Sequence, residues 1–429
     1  METHSMEKEK VLLAGLNTGS NEDDFAHSMQ ELKALAEACD MEVVGIFTQN
    51  LPSPNNATYL GSGKVEEIAT QIPLSEANLV IFDETLSPIQ LRNLSDYLHC
   101  AVMDRTGLIL QIFSQRAQTR EATLQVELAN LQYMLPRLVG LHSALSRQGG
   151  GSGSMSNKGT GEKKLELDRR HIERRIHELK KNLEQVKQER ATTRKHRTDS
   201  GIPLIALVGY TNAGKSTIMN WMIDCFCERE EKKVLEKDML FATLDTTIRK
   251  ITPTGNMQPF LLSDTVGFIN KLPHGLVEAF HSTLEEVTYA SLILHVIDAS
   301  DENSAKHIQV TEDTLRQLGA STIPCIYVYN KADKIKESNK LPIIQEDKIY
   351  LSAKEKIGIE QLLTMIWKKI SSTKKECHFK IPLNRGDILN TLFQKATVLS
   401  YSYEADGILC HCYCDNSEFG RFEQYIVSL

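Results

Sequence analysis

The sequence predicts an α/β protein: a doubly wound sheet at its centre, a smaller α/β unit with a helical hairpin before it, and a small α+β unit after it. Three observations lead there. The chain has 429 residues, 41% hydrophobic and 24% charged, with only 12 Pro, the balance of a folded chain with several cores rather than a disordered or fibrous one. Short apolar runs of strand length alternate with stretches of helix length, as parallel strands joined by helical crossovers do. Between two such sets lie apolar series that step by four and three residues, the seam of paired helices. No stretch approaches about eighteen apolar residues, and Met1–Lys10 leads into Val11–Leu16 without a cleavable apolar segment, so neither a membrane span nor secretion is expected. The 9 cysteines are scattered and odd in number, which predicts free thiols in a reducing, cytoplasmic setting.

The N-terminal unit is expected over residues 1–113. Val11–Leu16, Glu42–Thr48 and Leu79–Phe82 are its apolar strands, with helical stretches at Phe25–Ala38 and Val65–Thr70 between them. Gly61, Ser62, Gly63 and Lys64 mimic a phosphate loop but lack its leading glycine and following hydroxyl, so a turn before a helix is the expected structure.

Residues 114–199 read as a helical hairpin. Leu124, Leu128, Leu131, Leu135 and Leu138 form one apolar series; Ile172, Ile176, Leu179, Leu183 and Val186 form the other, and each alone would leave its stripe wet. Pro136 should kink or break the first helix near its end. Between the helices, Arg147–Gly161 is rich in Gly and Ser and has no apolar anchor; it reads either as a plain linker or as a basic tip that becomes ordered inside a polyanionic cavity. From Lys163 to Arg197, 13 Lys and Arg face 6 Asp and Glu, although the whole chain carries a formal charge of −7. A positive arm on an acidic body fits a polyanionic partner met locally, and a solvated helix face is the alternative.

Residues 200–373 hold the chemistry. The strand Leu204–Val208 runs into Gly209, Tyr210, Thr211, Asn212, Ala213, Gly214, Lys215 and Ser216, and Thr217–Cys227 reads as a helix. This is a phosphate loop in its strand-to-helix setting: exposed N–H groups and the helix dipole attract phosphate, Lys215 reaches the terminal phosphates and Ser216 holds Mg²⁺. The loop alone serves adenine and guanine equally. Asn330, Lys331, Ala332 and Asp333 close a later strand, where the Asp333 carboxylate can accept from N1–H and the exocyclic amine of guanine but would stay unpaired against adenine. Ser352, Ala353 and Lys354 end one more strand, where a backbone N–H can donate to guanine O6.

Asp264, Thr265, Val266 and Gly267 lie between these motifs. Asp264 is expected to reach the Mg²⁺ shell through water, and Gly267 to let an N–H meet the γ-phosphate. Phe241, Ala242, Thr243, Leu244 and Asp245 suit a switch loop, with Thr243 as the expected Mg²⁺ ligand and Thr246 and Thr247 as rivals. Phe268 cannot orient a water, so slow intrinsic turnover is expected. Asn212 either shapes the loop or helps place K⁺ between phosphate oxygens. His295, in the apolar run Leu292–Asp298, is expected to be a core residue.

Residues 374–429 read as strand, helix, strand, strand over Cys377–Leu383, Asp387–Lys395, Thr397–Glu404 and Ile408–Cys414, with a turn at Asp406 and Gly407. Cys410, Cys412 and Cys414 share one strand face and read as buried thiols rather than metal ligands.

Together these residues resemble the HflX GTPases, within the translation-factor-related P-loop class, over nearly the whole chain. The resemblance rests on Tyr59–Glu67, Asp104–Leu110, Leu124–Leu128, the glycine-rich tip followed by Leu165–Arg170, Gly209–Ser216 and Phe241–Asp245. It implies a P-loop GTPase that is monomeric, uses GTP/GDP and Mg²⁺, and engages rRNA and proteins of the large ribosomal subunit, with the hairpin tip directed toward the peptidyl-transferase region. It further implies separation of stalled ribosomes into subunits, often under stress, and hydrolysis stimulated by the ribosome. A large-subunit assembly GTPase, or an RNA-binding GTP switch without splitting activity, is the alternative. The tip departs from the family pattern, with Lys158 and Thr160 where more Arg and a Pro are usual, and with extra Ser, Met and Asn. Some family members bind ATP through the N-terminal unit, but nothing in residues 1–113 points to it.

Overall fold

The computed structural model describes residues 8–147, 158–199, 201–226, 240–241, 247–253, 257–265, 267–271, 284–335, 340–371, 375–414 and 416–427. By their contacts the residues form two units, one of Met1–Val186 with Met239–Leu244 and Asn270–Phe280, the other of the remaining segments.

In the first unit, β1 (Lys10–Asn17), α1 (Glu22–Ala38), β2 (Glu42–Asn50), α2 (Ser62–Ser75), β3 (Leu79–Phe82), α3 (Pro88–Leu98), β4 (Ala101–Asp104) and α4 (Arg105–Arg116) build a parallel sheet of order β2-β1-β3-β4. Strand β1 is buried almost throughout, as a parallel strand covered on both faces must be. Its Leu12, Ala14 and Leu16 join Val80, Phe82, Val65, Ile68, Leu94 and Leu98 in one core. The turn before α2 falls at Gly61, as the sequence predicts. Three elements lay outside the sequence prediction. α3 starts with Ser87 capping Gln90 N–H while the Gln90 side chain returns to Ser87 N–H, and Pro88 follows the cap. β4 ends at Asp104, whose carboxylate caps α4 at Gly107 N–H, and α4 carries the unit past the expected end at Phe113 to Arg116. Arg105 is buried and ion-paired to Glu31 and to Asp83 at 2.8 Å; Ser28 and Lys271 also bond Asp83, at 2.6 and 2.9 Å. A buried carboxylate persists only with such partners.

The hairpin helices are α5 (Arg120–Arg147) and α6 (Lys158–Asp199). Arg175 on α6 forks onto Glu127 on α5 at 2.7 and 3.0 Å, so the helices lie side by side. Leu128 and Leu179 are buried, and Leu124, Leu131, Ile172, Ile176, Leu183 and Val186 are half-buried, whereas Glu173, Arg174, Lys180 and Lys181 are exposed. Pro136 does not break α5, which continues to Arg147; the Arg137 guanidinium donates to the Tyr133 carbonyl at 2.7 Å, satisfying an acceptor in the turn that a proline disturbs. Of the glycine-rich tip, Arg147 ends α5 and Lys158–Gly161 begin α6, while residues 148–157 lie outside the described residues.

The second unit is built from β5 (Leu204–Gly209), α7 (Lys215–Phe226), β6 (Thr247–Ile251), β7 (Phe260–Asp264), β8 (Leu292–Asp298), α8 (Ser304–Gln317), β9 (Cys325–Asn330), β10 (Ile343–Gln345), β11 (Lys348–Tyr350) and α9 (Ile359–Ser371). Its sheet runs β10-β11-β9-β8-β5-β7-β6, antiparallel only for the pairs at its two edges, β10 with β11 and β6 with β7. α7 and α9 cover one face through Ile218, Met222, Leu362 and Ile366, and Leu315 of α8 packs on the other, so the sheet is doubly wound. The chain leaves β5 on one side for β7 and on the other for β8, which makes the carboxyl end of β5 a topological switch point.

The same unit contains β12 (Lys375–Ile381), α10 (Gly386–Lys395), β13 (Thr397–Glu404), β14 (Gly407–Cys414) and α11 (Asn416–Arg421). The three strands form an antiparallel sheet of order β12-β14-β13. Cys377, Cys410, Cys412 and Cys414 are buried in its core with Phe379, Ile388, Leu392 and Phe422. These thiols behave as small apolar groups. Among the described residues, no helix is long and apolar enough to cross a membrane.

Candidate functional site

The switch point at the end of β5 is where the sequence places its phosphate loop. Apolar residues hold β5 in the sheet, and the helix starts at Lys215, so the loop between them is pinned at both ends. Gly209 O accepts from Phe268 N–H at 3.1 Å, and Thr211 N–H donates to Phe268 O at 2.8 Å, which ties the loop to the segment after β7. The Tyr210 ring stacks on His307 with centroids 3.7 Å apart. Asn212 adopts φ 59°, a left-handed conformation that asparagine tolerates. Gly214 has φ 93°, and a methyl group there would meet Asn330 Nδ2 at 2.2 Å, so glycine is required on both counts.

Lys215 is buried, and its ammonium donates to the Gly209 and Tyr210 carbonyls at 3.1 and 2.8 Å. Burial pushes its pKa down to about 8, against the opposing pull of Asp264. Asp264, at the end of β7, accepts from Ser216 Oγ at 2.7 Å through Oδ2, while its Oδ1 is buried and has no hydrogen-bond partner. Burial raises the Asp264 pKa, with Lys215 opposing the rise. A hydroxyl joined to a buried carboxylate with one uncommitted oxygen is a donor set suited to a hard divalent cation such as Mg²⁺. Gly267 packs so closely that a methyl group would meet Thr211 Cα at 2.8 Å and Lys215 Nζ at 2.9 Å. Thr265 Oγ1 donates to Leu207 O at 2.7 Å and so braces the strand rather than facing a ligand.

The base-reading motifs converge on the same end of the sheet. A cleft of about 560 Å³ is lined by Asn212, Gly214, Asn330, Lys331, Asp333, Ala353 and Lys354, among others. Asn330 is a brace: its amide donates to Ala213 O at 3.0 Å, and its Oδ1 accepts from Ala353 N–H at 3.0 Å. Lys331 holds its ammonium against Asp298 at 2.7 Å. Ala332 is buried and bonds Leu351 O through its N–H. Asp333 Oδ1 is buried, borders the cleft and has no hydrogen-bond partner. Ser352 is buried, and its Oγ accepts from Glu355 N–H at 3.2 Å, closing the turn that carries Ala353 and Lys354.

Other expected site residues fall elsewhere. Ala242, Thr243, Leu244, Asp245, Thr246 and Val266 lie outside the described residues. Phe241 is buried in the first unit, its ring edge-on to Phe113 with centroids 4.7 Å apart. Thr247 starts β6 and directs its hydroxyl at Met219 Sδ, 3.7 Å away. Phe268 is buried beside Leu284 and Val287, as expected of a residue that orients no water. His295 is a core residue, its pKa lowered to about 4 by burial and then by Lys215. The bracing roles of Asn330 and Ser352 could not be read from spacing, since they depend on which loops meet.

Models of known families match three successive parts of the chain. Residues 26–114 match a family described as GTP-binding GTPase N-terminal, residues 116–197 one described as GTP-binding GTPase Middle Region, and residues 204–331 one described as 50S ribosome-binding GTPase. A protein named GTPase HflX from Caldanaerobacter subterraneus is 42% identical over 431 residues, covering 100% of this chain and 96% of the relative. GTPase HflX from Escherichia coli K12 is 38% identical over 392 residues, covering 90% and 89%. Among solved structures, a GTP-binding protein of Sulfolobus solfataricus in complex with GDP is 26% identical with a TM-score of 0.45, over 85% of this chain and 99% of that one.

Proposed function

The chain belongs to the HflX family of GTPases, and on that premise we propose that it is a cytoplasmic, monomeric factor that binds the large ribosomal subunit and uses GTP to separate stalled or idle ribosomes into subunits. It binds and hydrolyses GTP. The observation that carries the reading of the site is the buried, unpartnered Asp333 Oδ1 beside the cleft, because a desolvated acceptor is costly until N1–H and the exocyclic amine of guanine meet it. The Ala353 amide is committed to Asn330, which leaves Lys354 N–H to meet guanine O6. Residues 200–373 act as the nucleotide-binding domain in this account, residues 1–113 and 114–199 as the N-terminal unit and its hairpin, and residues 374–429 as a small contact domain.

Lys215 exchanges its two carbonyl acceptors for β- and γ-phosphate oxygens, a swap that returns a charged partner to a buried ammonium. The loop amides between Gly209 and Ser216 share the remaining phosphate charge, and Gly267 allows its backbone N–H close to the γ-phosphate. Ser216 and Asp264 would hold Mg²⁺ with Thr243 from the switch segment, and the ion when bound supplies charge neutralisation of the β- and γ-phosphates. With Phe268 in the core, the residue that follows Gly267 orients no attacking water, so intrinsic turnover is slow and the ribosome raises it. Asn212 places K⁺ between phosphate oxygens; turnover is then faster in potassium than in sodium chloride, and equal rates remove that role.

Calorimetry tests the base reading. Wild-type protein should bind GDP far more tightly than ADP. Asp333→Asn should weaken GDP by about 2 kcal/mol or more, the cost of losing a charge-assisted pair of hydrogen bonds. An unchanged preference in that variant contradicts the proposal.

A further inference from the structure

The face of the C-terminal sheet opposite its core carries a second set of ligand-type groups, remote in chain from the nucleotide motifs. β12 and β14 pair antiparallel with His378 opposite His411. Cys377, Phe379, Cys410 and Cys412 point into the core, so the alternation of side chains puts both imidazoles on the other face, together with Glu376. The two rings stack with centroids 4.1 Å apart and 16° between planes. His411 Nε2 lies 2.6 Å from Glu376 Oε1, and one ligand atom from each of the three residues falls within 4.8 Å of the others. His378 Nδ1 is buried and has no hydrogen-bond partner. A ring nitrogen removed from water with nothing to bond it is costly, and two imidazoles face to face gain little unless something bridges them.

We propose that Glu376, His378 and His411 form a binding site for a divalent cation of the zinc class. Two imidazoles and one carboxylate are the donor set of open tetrahedral zinc sites, with water completing the fourth position. Magnesium and calcium favour all-oxygen shells, so this set is selective against the hard cation of the nucleotide site. Ligand atoms lie about 2.0–2.2 Å from zinc, hence roughly 3–3.5 Å from one another. Rotation of the side chains closes the present spacing without backbone movement, since the cross-strand pair is already in register and the Glu376 side chain is 52% exposed. Because β14 is the central strand, the bound ion staples β12 to the middle of the sheet.

The test uses the full-length chain saturated with Mg²⁺ and GDP, titrated with Co²⁺ and followed by absorption. The wild type should take up one equivalent more than His378→Ala, with visible d–d bands, no thiolate-to-cobalt charge-transfer band from that equivalent, and displacement by Zn²⁺. Glu376→Gln, at an exposed position where folding is not at stake, should weaken that equivalent at least tenfold. Zinc should raise the melting temperature of the wild type and not of His411→Ala. Equal stoichiometry and affinity in wild type and Glu376→Gln, or a charge-transfer band showing that the thiols hold the metal, would overturn the proposal.

Discussion

Lys215 makes the site sensitive to pH. With its pKa near 8 against an ordinary 10.5, folded and unfolded chains both hold the proton below about pH 8, and the penalty for burying the charge is fully present there. Between about 8 and 10.5 the unfolded chain binds more protons than the folded one, so stability without nucleotide rises with pH across that window. Phosphate favours the charged form, so nucleotide binding takes up a proton in the same window. Affinity for GDP should therefore be flat up to about pH 8 and fall above it, and calorimetry in buffers of different ionisation heat should detect the uptake. Lys215→Met should bind weakly and without proton uptake; uptake that persists in the variant would contradict the assignment. Lys215 and Asp333 were legible in the sequence because each sits at a fixed offset in a short motif. Asn330 was legible as a member of its motif but not as a brace, since its partners Ala213 and Ala353 are 117 and 23 residues away.

At the scale of elements, the β5–loop–α7 turn depends on contacts that tolerate no side chain. Gly214→Ala forces a methyl group into Asn330 Nδ2 on a backbone with positive φ, so it should separate the phosphate loop from the Ala353 turn. We expect at least tenfold weaker GDP binding with the circular dichroism of the fold retained; unaltered affinity would show that the brace is dispensable. In the first unit, Arg105→Met leaves Glu31 and Asp83 without their guanidinium and should destabilise that unit by about 3–5 kcal/mol, read as an earlier urea transition. An unchanged transition would mean that Lys271 and Ser28 suffice for Asp83. The apolar runs β1, β3 and β5 were legible because burial on both faces leaves few polar interruptions, whereas the edge strand β2, none of whose residues is buried, was legible from its β-branched and aromatic run Val43–Phe47. β4 is an edge strand with only Asp104 buried, and the starts of α3 and α4 are set by caps at Ser87 and Asp104, a local signal that apolar periodicity does not carry.

For the whole molecule, charge is divided unevenly: α6 exposes basic residues such as Arg174, Lys180 and Lys181 on a chain that is acidic overall. Binding to a polyanion through this helix should weaken with salt, and Lys180→Glu with Lys181→Glu should reduce ribosome association and its salt slope while leaving GDP affinity unchanged. Equal association in wild type and double variant would place the contact elsewhere. The order of the central sheet was legible only in outline, because the sequence marks strands but not neighbours; the neighbours of β5 emerge once β7 and β8 flank it. The most direct test of the account is a density gradient of intact ribosomes incubated with the protein and GTP. The account predicts that the ribosome peak converts into separate subunits, with the protein on the large one. Co-migration of the protein with undivided ribosomes would contradict it and favour a role in subunit assembly.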